Sequence, residues 1–162
     1  AEMADAPRPG ELALPFDPGG RKDATLAFIG RIRSPWRKGD CPRNLREARE
    51  RGGAFAIEID AAYRPGLAGL AVGDAVIVLY WTGQSRRRDL VVQSPAHRPA
   101  PSGVFALRSP ARPNPVALAV TRITTLDAEA GRIGIEAIDA FDGTPLLDLK
   151  PWLSTVDVPP PG

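Results

Sequence analysis

Apolar and polar residues alternate along much of this chain, with a period of two rather than the three to four of a helix. The clearest stretch is Ala54–Ile59, where Phe55, Ile57 and Ile59 share one face while Glu58 and Asp60 fall on the other. That pattern predicts a half-buried strand. Thr25–Arg33 carries Leu26, Phe28 and Ile32 at even spacing, with Gly30 interrupting the row, and predicts a first strand. Ala75–Trp81 is a continuous apolar run and reads as a central core strand. Leu90–Gln93, Val104–Leu107, Val116–Leu126, Arg132–Ala140 and Thr144–Leu149 predict further strands. Asp127–Gly131 falls between two of them as a hairpin turn, with Gly131 free to take a positive φ. Helical signals are few. Leu45–Arg51 is the best of them, with Asn44 placed as N-cap and Gly52-Gly53 as the stop. Many short strands joined by turns give an all-β barrel or sandwich with few short helices.

Composition reinforces this picture. Eighteen prolines and 16 glycines among 162 residues disfavour long helices. The length predicts one domain. Residues 1–24 hold Pro7, Pro9, Pro15, Pro18 and Gly19-Gly20 and read as a flexible arm. Residues 25–153 carry the strands, and 154–162 form a Pro-rich tail. Cys41 is the single cysteine, so no intramolecular disulfide is possible and a reducing compartment fits. No apolar run reaches membrane-spanning length, and the start lacks a signal-peptide core. A cytoplasmic protein with no membrane partner is the expectation. His97 is the single histidine, so no histidine cluster exists and no metal is expected.

Charge adds a sharper signal. The formal net charge is only +2, yet 18 of the 21 basic residues are arginine. Arginine presents a planar fork of donors suited to carboxylates and phosphates. Arg86, Arg87 and Arg88 are adjacent, with no acid before Asp89, and repel one another unless an anion joins them. A phosphate backbone is one such anion; a solvated turn is the plainer reading. Arg43, Arg46, Arg49 and Arg51 cluster on the predicted helix, where Glu47 and Glu50 answer two of them.

The most informative run is Gly103–Leu118. An apolar segment meets Arg108 and Ser109, and Pro110, Pro113 and Pro115 then stiffen the chain. Arg108 and Arg112 are thus presented with little ordering entropy left to lose on binding. The residues alone leave a ligand-holding loop and a solvated connection equally open.

Phe105–Leu118, read as Phe-Ala-Leu-Arg-Ser-Pro-Ala-Arg-Pro-Asn-Pro-Val-Ala-Leu, resembles the central motif of the TrmO family, also called TsaA-like or YaeB-like. Asp142-Gly-Thr-Pro-Leu-Leu-Asp-Leu-Lys-Pro151 resembles the family's second motif. Ile29-Gly-Arg-Ile-Arg-Ser-Pro35 with Cys41-Pro-Arg-Asn44 resembles its N-terminal motif. The three occur in the family's order between about Ala27 and Leu153, which is far more specific than any one of them. The resemblance implies a single small β-barrel of the TsaA-like type that binds S-adenosylmethionine. It implies methylation of a threonylcarbamoyl-modified adenosine beside the tRNA anticodon, and a homodimer.

Residue by residue, the resemblance places the cofactor against Pro42, Arg43 and Asn44, Gln84 and Ser85, Arg108, Leu118, and the turn Asp142-Gly143-Thr144-Pro145-Leu146. Arg108 would hold the cofactor's carboxylate; Leu118 and Leu146 would wall its adenine; Asp139 or Asp142 would offset the sulfonium. Tyr80, Asp139 and Asp142 are the candidates for assisting proton loss from the acceptor nitrogen. Arg86, Arg87, Arg88 and Arg112 are the candidates for RNA phosphates in the anticodon loop. One position departs from the family: Gly83 stands where many members have histidine. A same-fold methyltransferase with another substrate, and a non-catalytic cofactor- or RNA-binding barrel, are the alternatives.

Overall fold

A computed structural model describes residues 6–83 and 87–162. Its strands are β1 Leu12–Ala13, β2 Gly30–Arg33, β3 Phe55–Ile59, β4 Ala75–Trp81, β5 Leu90–Gln93, β6 Ser102–Gly103, β7 Val116–Asp127, β8 Arg132–Ile135 and β9 Pro145–Pro151. Two short α-helices accompany them, α1 Leu45–Arg51 and α2 Ser154–Asp157. The architecture is all-β, as the alternation predicts. The chain divides into two compact units, Leu26–Tyr80 with Leu118–Gly162, and Ala1–Thr25 with Trp81–Ala117.

The larger unit is built on a closed barrel in the order β2-β3-β8-β7-β4-β9. β3 lies antiparallel between β2 and β8, with Ile57 opposite Ile32 on one side and Ile133 on the other. All three isoleucines are fully buried. Burying each such side chain contributes roughly 1.5–3 kcal/mol, so this row alone is comparable to a marginal domain's net stability before entropy is counted. In β4 the inward residues are Val76, Val78 and Tyr80, while Ala75, Ile77 and Leu79 are half-buried. The continuous apolar run is therefore an alternating strand whose outward positions are also partly covered. Gly30 interrupts the β2 row because a Cβ there would collide with the Glu58 carbonyl oxygen across the ladder. Helix α1 starts where Asn44 accepts the Glu47 N–H at 2.9 Å and ends at Gly52, φ 67°.

The smaller unit contains a three-stranded sheet in the order β1-β5-β6. β1 pairs with β5 through Leu12 opposite Val92 and Ala13 opposite Leu90. Glu11, its side chain only 4% exposed, accepts the Arg8 N–H at 2.8 Å and the Ser94 N–H at 3.0 Å. Those donors pull its carboxyl below the ordinary carboxylate range. The expected arm over 1–24 is thus pinned at residues 8–14, because its backbone donors and acceptors find partners on β5.

Four predicted strands change on inspection. The one predicted over Thr25–Arg33 shortens to Gly30–Arg33, with Leu26 and Phe28 exposed before it. Val104–Leu107 is a 3-10 turn, closed by the Leu107 N–H on the Val104 carbonyl at 3.1 Å. Val104 and Leu107 are buried and Phe105 is not, so the buried spacing is three rather than two. The strand predicted over Arg132–Ala140 stops at Ile135. That predicted over Thr144–Leu149 becomes Pro145–Pro151. The tail at 154–162 begins with α2, capped back by the Asp157 carboxylate on the Leu153 N–H at 2.6 Å.

Candidate cofactor and substrate site

Beyond Ile135 the chain leaves the barrel wall and runs through Ala137, Ile138 and Asp139 to the turn at Asp142. The segment after β2 clasps this run from the other side. The Trp36 indole N–H donates to the Ile138 carbonyl at 2.7 Å, and the Ser34 hydroxyl to the Ala140 carbonyl at 2.6 Å. The Ser34 N–H meets Asp142 Oδ1 at 3.1 Å, and the Asp142 N–H meets the Trp36 carbonyl at 2.9 Å. Gly143, at φ 82°, makes the turn that lets its N–H reach the Ile32 carbonyl at 2.7 Å. Each bond contributes only about 1 kcal/mol, but together they fix the backbone on both sides of Asp139.

Asp139 is the chemically distinctive residue here. The buried Tyr80 hydroxyl donates to its Oδ1 at 2.9 Å, and the Cys41 thiol donates to its carbonyl at 3.2 Å. Burial, with the Asp139 charge adding to it, pushes the Cys41 thiol up to about 11. The carboxylate is half-buried, and among the described residues no Arg or Lys forms an ion pair with it. A negative charge so placed favours a cation beside it. Asp142 is engaged differently, by the Ser34 N–H and by Arg33 at 3.6 Å; Arg33 in turn bonds Glu58 at 2.6 Å. Asp142 therefore anchors the turn.

The larger unit brings together most of the residues singled out there from the sequence. Leu146 lies opposite Tyr80 across β9 and β4 and is fully buried. The Thr144 hydroxyl closes the turn on the Phe141 carbonyl at 2.7 Å, and Pro145 begins β9. Pro42 is buried directly after Cys41. Arg43 reaches Glu47 at 3.2 Å, and Asn44 caps α1, so both side chains already have partners. Leu118 on β7 and Phe141 before the turn stay 40% and 44% exposed. Phe141 carries no signal in the alternation pattern, because it sits in a turn rather than a strand.

Arg87, Arg88, Arg108 and Arg112 belong to the smaller unit. Arg87 pairs with Asp89 at 3.1 Å. Arg88 donates to the Pro113 carbonyl at 2.8 Å and lies 5.5 Å above the Trp81 ring. Arg112 donates to the carbonyls of Leu107, at 3.0 Å, and Ser109, at 3.1 Å. Arg108 is exposed just beyond the 3-10 turn. Asp89 is thus the anion that relieves Arg87. Gln84, Ser85 and Arg86 lie outside the described residues. A side chain at Gly83 would run into the Trp81 indole, so the family's histidine does not fit beside this Trp81 rotamer.

A barrel with a clasped acidic turn and a tyrosine-held carboxylate beside it is the class of protein that the larger unit defines. The comparisons give that class its family. The tRNA-methyltransferase O N-terminal domain model matches residues 31–158, and the chain belongs to that family. It is 36% identical over 145 residues to a probable S-adenosyl-L-methionine-binding protein, VirR, of Rhizobium radiobacter, covering 89% of this chain and 78% of that protein. It is 35% identical over 133 residues to an S-adenosyl-L-methionine-binding protein of Archaeoglobus fulgidus, covering 82% and 91%. A crystal structure of TrmO superposes with a TM-score of 0.64 at 30% identity, covering 86% of this chain and 66% of that one. TrmO from Pseudomonas aeruginosa superposes with 0.63 at 26% identity, and this chain spans only 58% of its length. Among the described residues no helix is long and apolar enough to cross a membrane, and no cluster of metal-ligating side chains occurs.

Proposed function

We propose that this protein is an S-adenosylmethionine-dependent methyltransferase that modifies N6 of threonylcarbamoyladenosine beside the tRNA anticodon. The observation that carries this reading is the half-buried Asp139 carboxylate, bonded by Tyr80 and lacking a cationic side-chain partner among the described residues. A sulfonium suits that charge, and the cofactor supplies an electrophilic methyl group when bound. The family match and S-adenosylmethionine-binding relatives support the cofactor. A tRNA (adenine(37)-N6)-methyltransferase of Eikenella corrodens, 46% identical over 59 residues, supports the acceptor, although that match covers 36% of this chain.

The chain's own residues divide the work. The 142–146 turn, with Leu118 and Phe141, walls the adenine, while the fully buried Leu146 backs the turn from inside the barrel, and Pro42–Asn44 border the same ligand. Arg108 binds the amino-acid carboxylate through a charge-assisted pair. Tyr80 holds Oδ1 of Asp139 and so leaves Oδ2 to accept the proton that the carbamoylated nitrogen sheds. Holding the reacting atoms in line supplies most of the rate, and no covalent enzyme intermediate is needed. The family motif assigns Gln84 and Ser85 to the cofactor, and Arg86, Arg87, Arg88 and Arg112 are the candidates for RNA phosphates. The protein works in the cytoplasm, where its tRNA substrate resides, and as a homodimer.

The test is mass spectrometry of nucleosides from tRNA incubated with the protein and a deuterated methyl donor. A labelled methyl on threonylcarbamoyladenosine is the expected product. Transfer to no tRNA nucleoside would reject the reading and leave a cofactor-binding barrel.

A further inference from the structure

Phe105 is 90% exposed, the most exposed of the large apolar side chains among the described residues. It does not sit on a loose tip. The 3-10 turn that carries it is nailed down by its neighbours, Val104 and Leu107, which are 2% and 7% exposed. The carbonyls around it are held by guanidinium groups: Arg98 donates to Ala106 at 3.2 Å, and Arg112 to Leu107 and Ser109. One exposed ring is ordinary by itself; what sets this one apart is that it is fixed outward on a turn held by guanidinium groups.

The chemistry of the surroundings selects its occupant. Residues 81–117 hold six arginines and one acid, Asp89. Arg98 and Arg112 spend donors on neutral carbonyls, so their charge is not cancelled. A second copy docked through this same face would set its own Arg98 and Arg112 against these two. A flat, rigid aromatic ring among uncancelled guanidinium groups matches an unstacked nucleobase with its phosphates.

From this we infer that Phe105 is a stacking platform for one splayed base of single-stranded RNA, with Arg98 and Arg112 beside its phosphates. The inference rests on the tRNA reading for its natural ligand but not for the stacking itself. It assigns Phe105 to RNA rather than to the cofactor pocket.

Binding is measured with two fluorescein-labelled probes, an anticodon stem–loop RNA and a single-stranded oligouridine of equal length, against the full chain. Phe105→Ala is expected to weaken both about tenfold. The factor stays constant as salt rises, because stacking releases no counterions. Phe105→Trp restores affinity, and its added indole emission is quenched as RNA is titrated in. Sedimentation of F105A matches the unaltered protein. Equal RNA affinity in F105A overturns the inference, as does failure of the unaltered protein to bind either probe. So does a smaller sedimenting species for F105A, which would place Phe105 on a second copy. Methyl transfer is assayed alongside. RNA affinity that depends on Phe105 without transfer to tRNA keeps the platform and rejects the methyltransferase reading; transfer indifferent to Phe105 does the reverse.

Discussion

Both units hold arginines on carboxylates and on carbonyls, but in different proportion: Arg8 and Arg87 of the smaller unit meet acids, and Arg64 and Arg122 of the larger unit donate to carbonyls. In the larger unit, guanidinium groups meet carboxylates: Arg33 with Glu58 and Asp142, Arg49 with Glu136, Arg51 with Asp40, Arg132 with Glu58. Their charges cancel, and their work is to tie loops to the barrel. In the smaller unit Arg88, Arg98 and Arg112 donate to backbone carbonyls. A carbonyl fixes a guanidinium in place without neutralising it. Ion pairs therefore predominate among the arginines of the larger unit, whereas Arg88, Arg98 and Arg112 of the smaller unit are fixed with their charge left in place. The lesson is that counting arginines says little; the acceptor of each decides whether its charge is left for a ligand.

That contrast can be broken from either side. The largest expected effect is on Asp139. Asp139→Asn should lower single-turnover methyl transfer by about 100-fold or more while RNA affinity stays the same. An unchanged rate would remove Asp139 from the chemistry. Next is Gly30→Ala, which forces a Cβ onto the Glu58 carbonyl and should cost about 3 kcal/mol in urea denaturation. A wild-type midpoint would show that β2 and β3 can part without penalty.

Two smaller changes separate the units. Arg112→Ala should weaken RNA binding several-fold and reduce the slope of log affinity against log salt by about one. Identical slopes would mean that its charge is not used. Asn44→Ala, which removes the α1 cap, should cost about 1 kcal/mol of stability, with RNA salt dependence untouched.

The smallest effect is on Cys41. Its thiol titrates near 9 when unfolded and about 11 when folded, so the folded state retains the proton longer. Its contribution to stability is therefore complete below pH 9 and lost as pH rises from 9 towards 11. Iodoacetamide at pH 8 should label the native protein far more slowly than the urea-unfolded chain; equal rates would contradict the burial.

Much of the fold was legible because period-two alternation is a local signal. Phe55, Ile57 and Ile59 carry it plainly, and Asn44 and Gly52 mark α1 by their capping chemistry. The stretch 104–107 was misread because four apolar residues look alike whether every second or every third is buried. Residues 8–14 were read as loose because pairing with β5 leaves no trace in their own composition. Gly30 looked like a flaw in the row until the Glu58 carbonyl stood beside it.

The sequence by itself determined most of the barrel strands, the α1 caps, the proline-stiffened arginine run and the three ordered motifs that mark the family. Each follows from residues within a few positions of one another, where propensity, capping and turn chemistry act. Only the tertiary structure decided that Asp139, and not Asp142, is held by Tyr80 while Asp142 is tied down by Ser34 and Arg33. It alone turned Phe105 outward and set Arg88, Arg98 and Arg112 on carbonyls. These choices depend on partners distant in sequence, and hydrogen-bond acceptors are assigned only once the chain has closed around them.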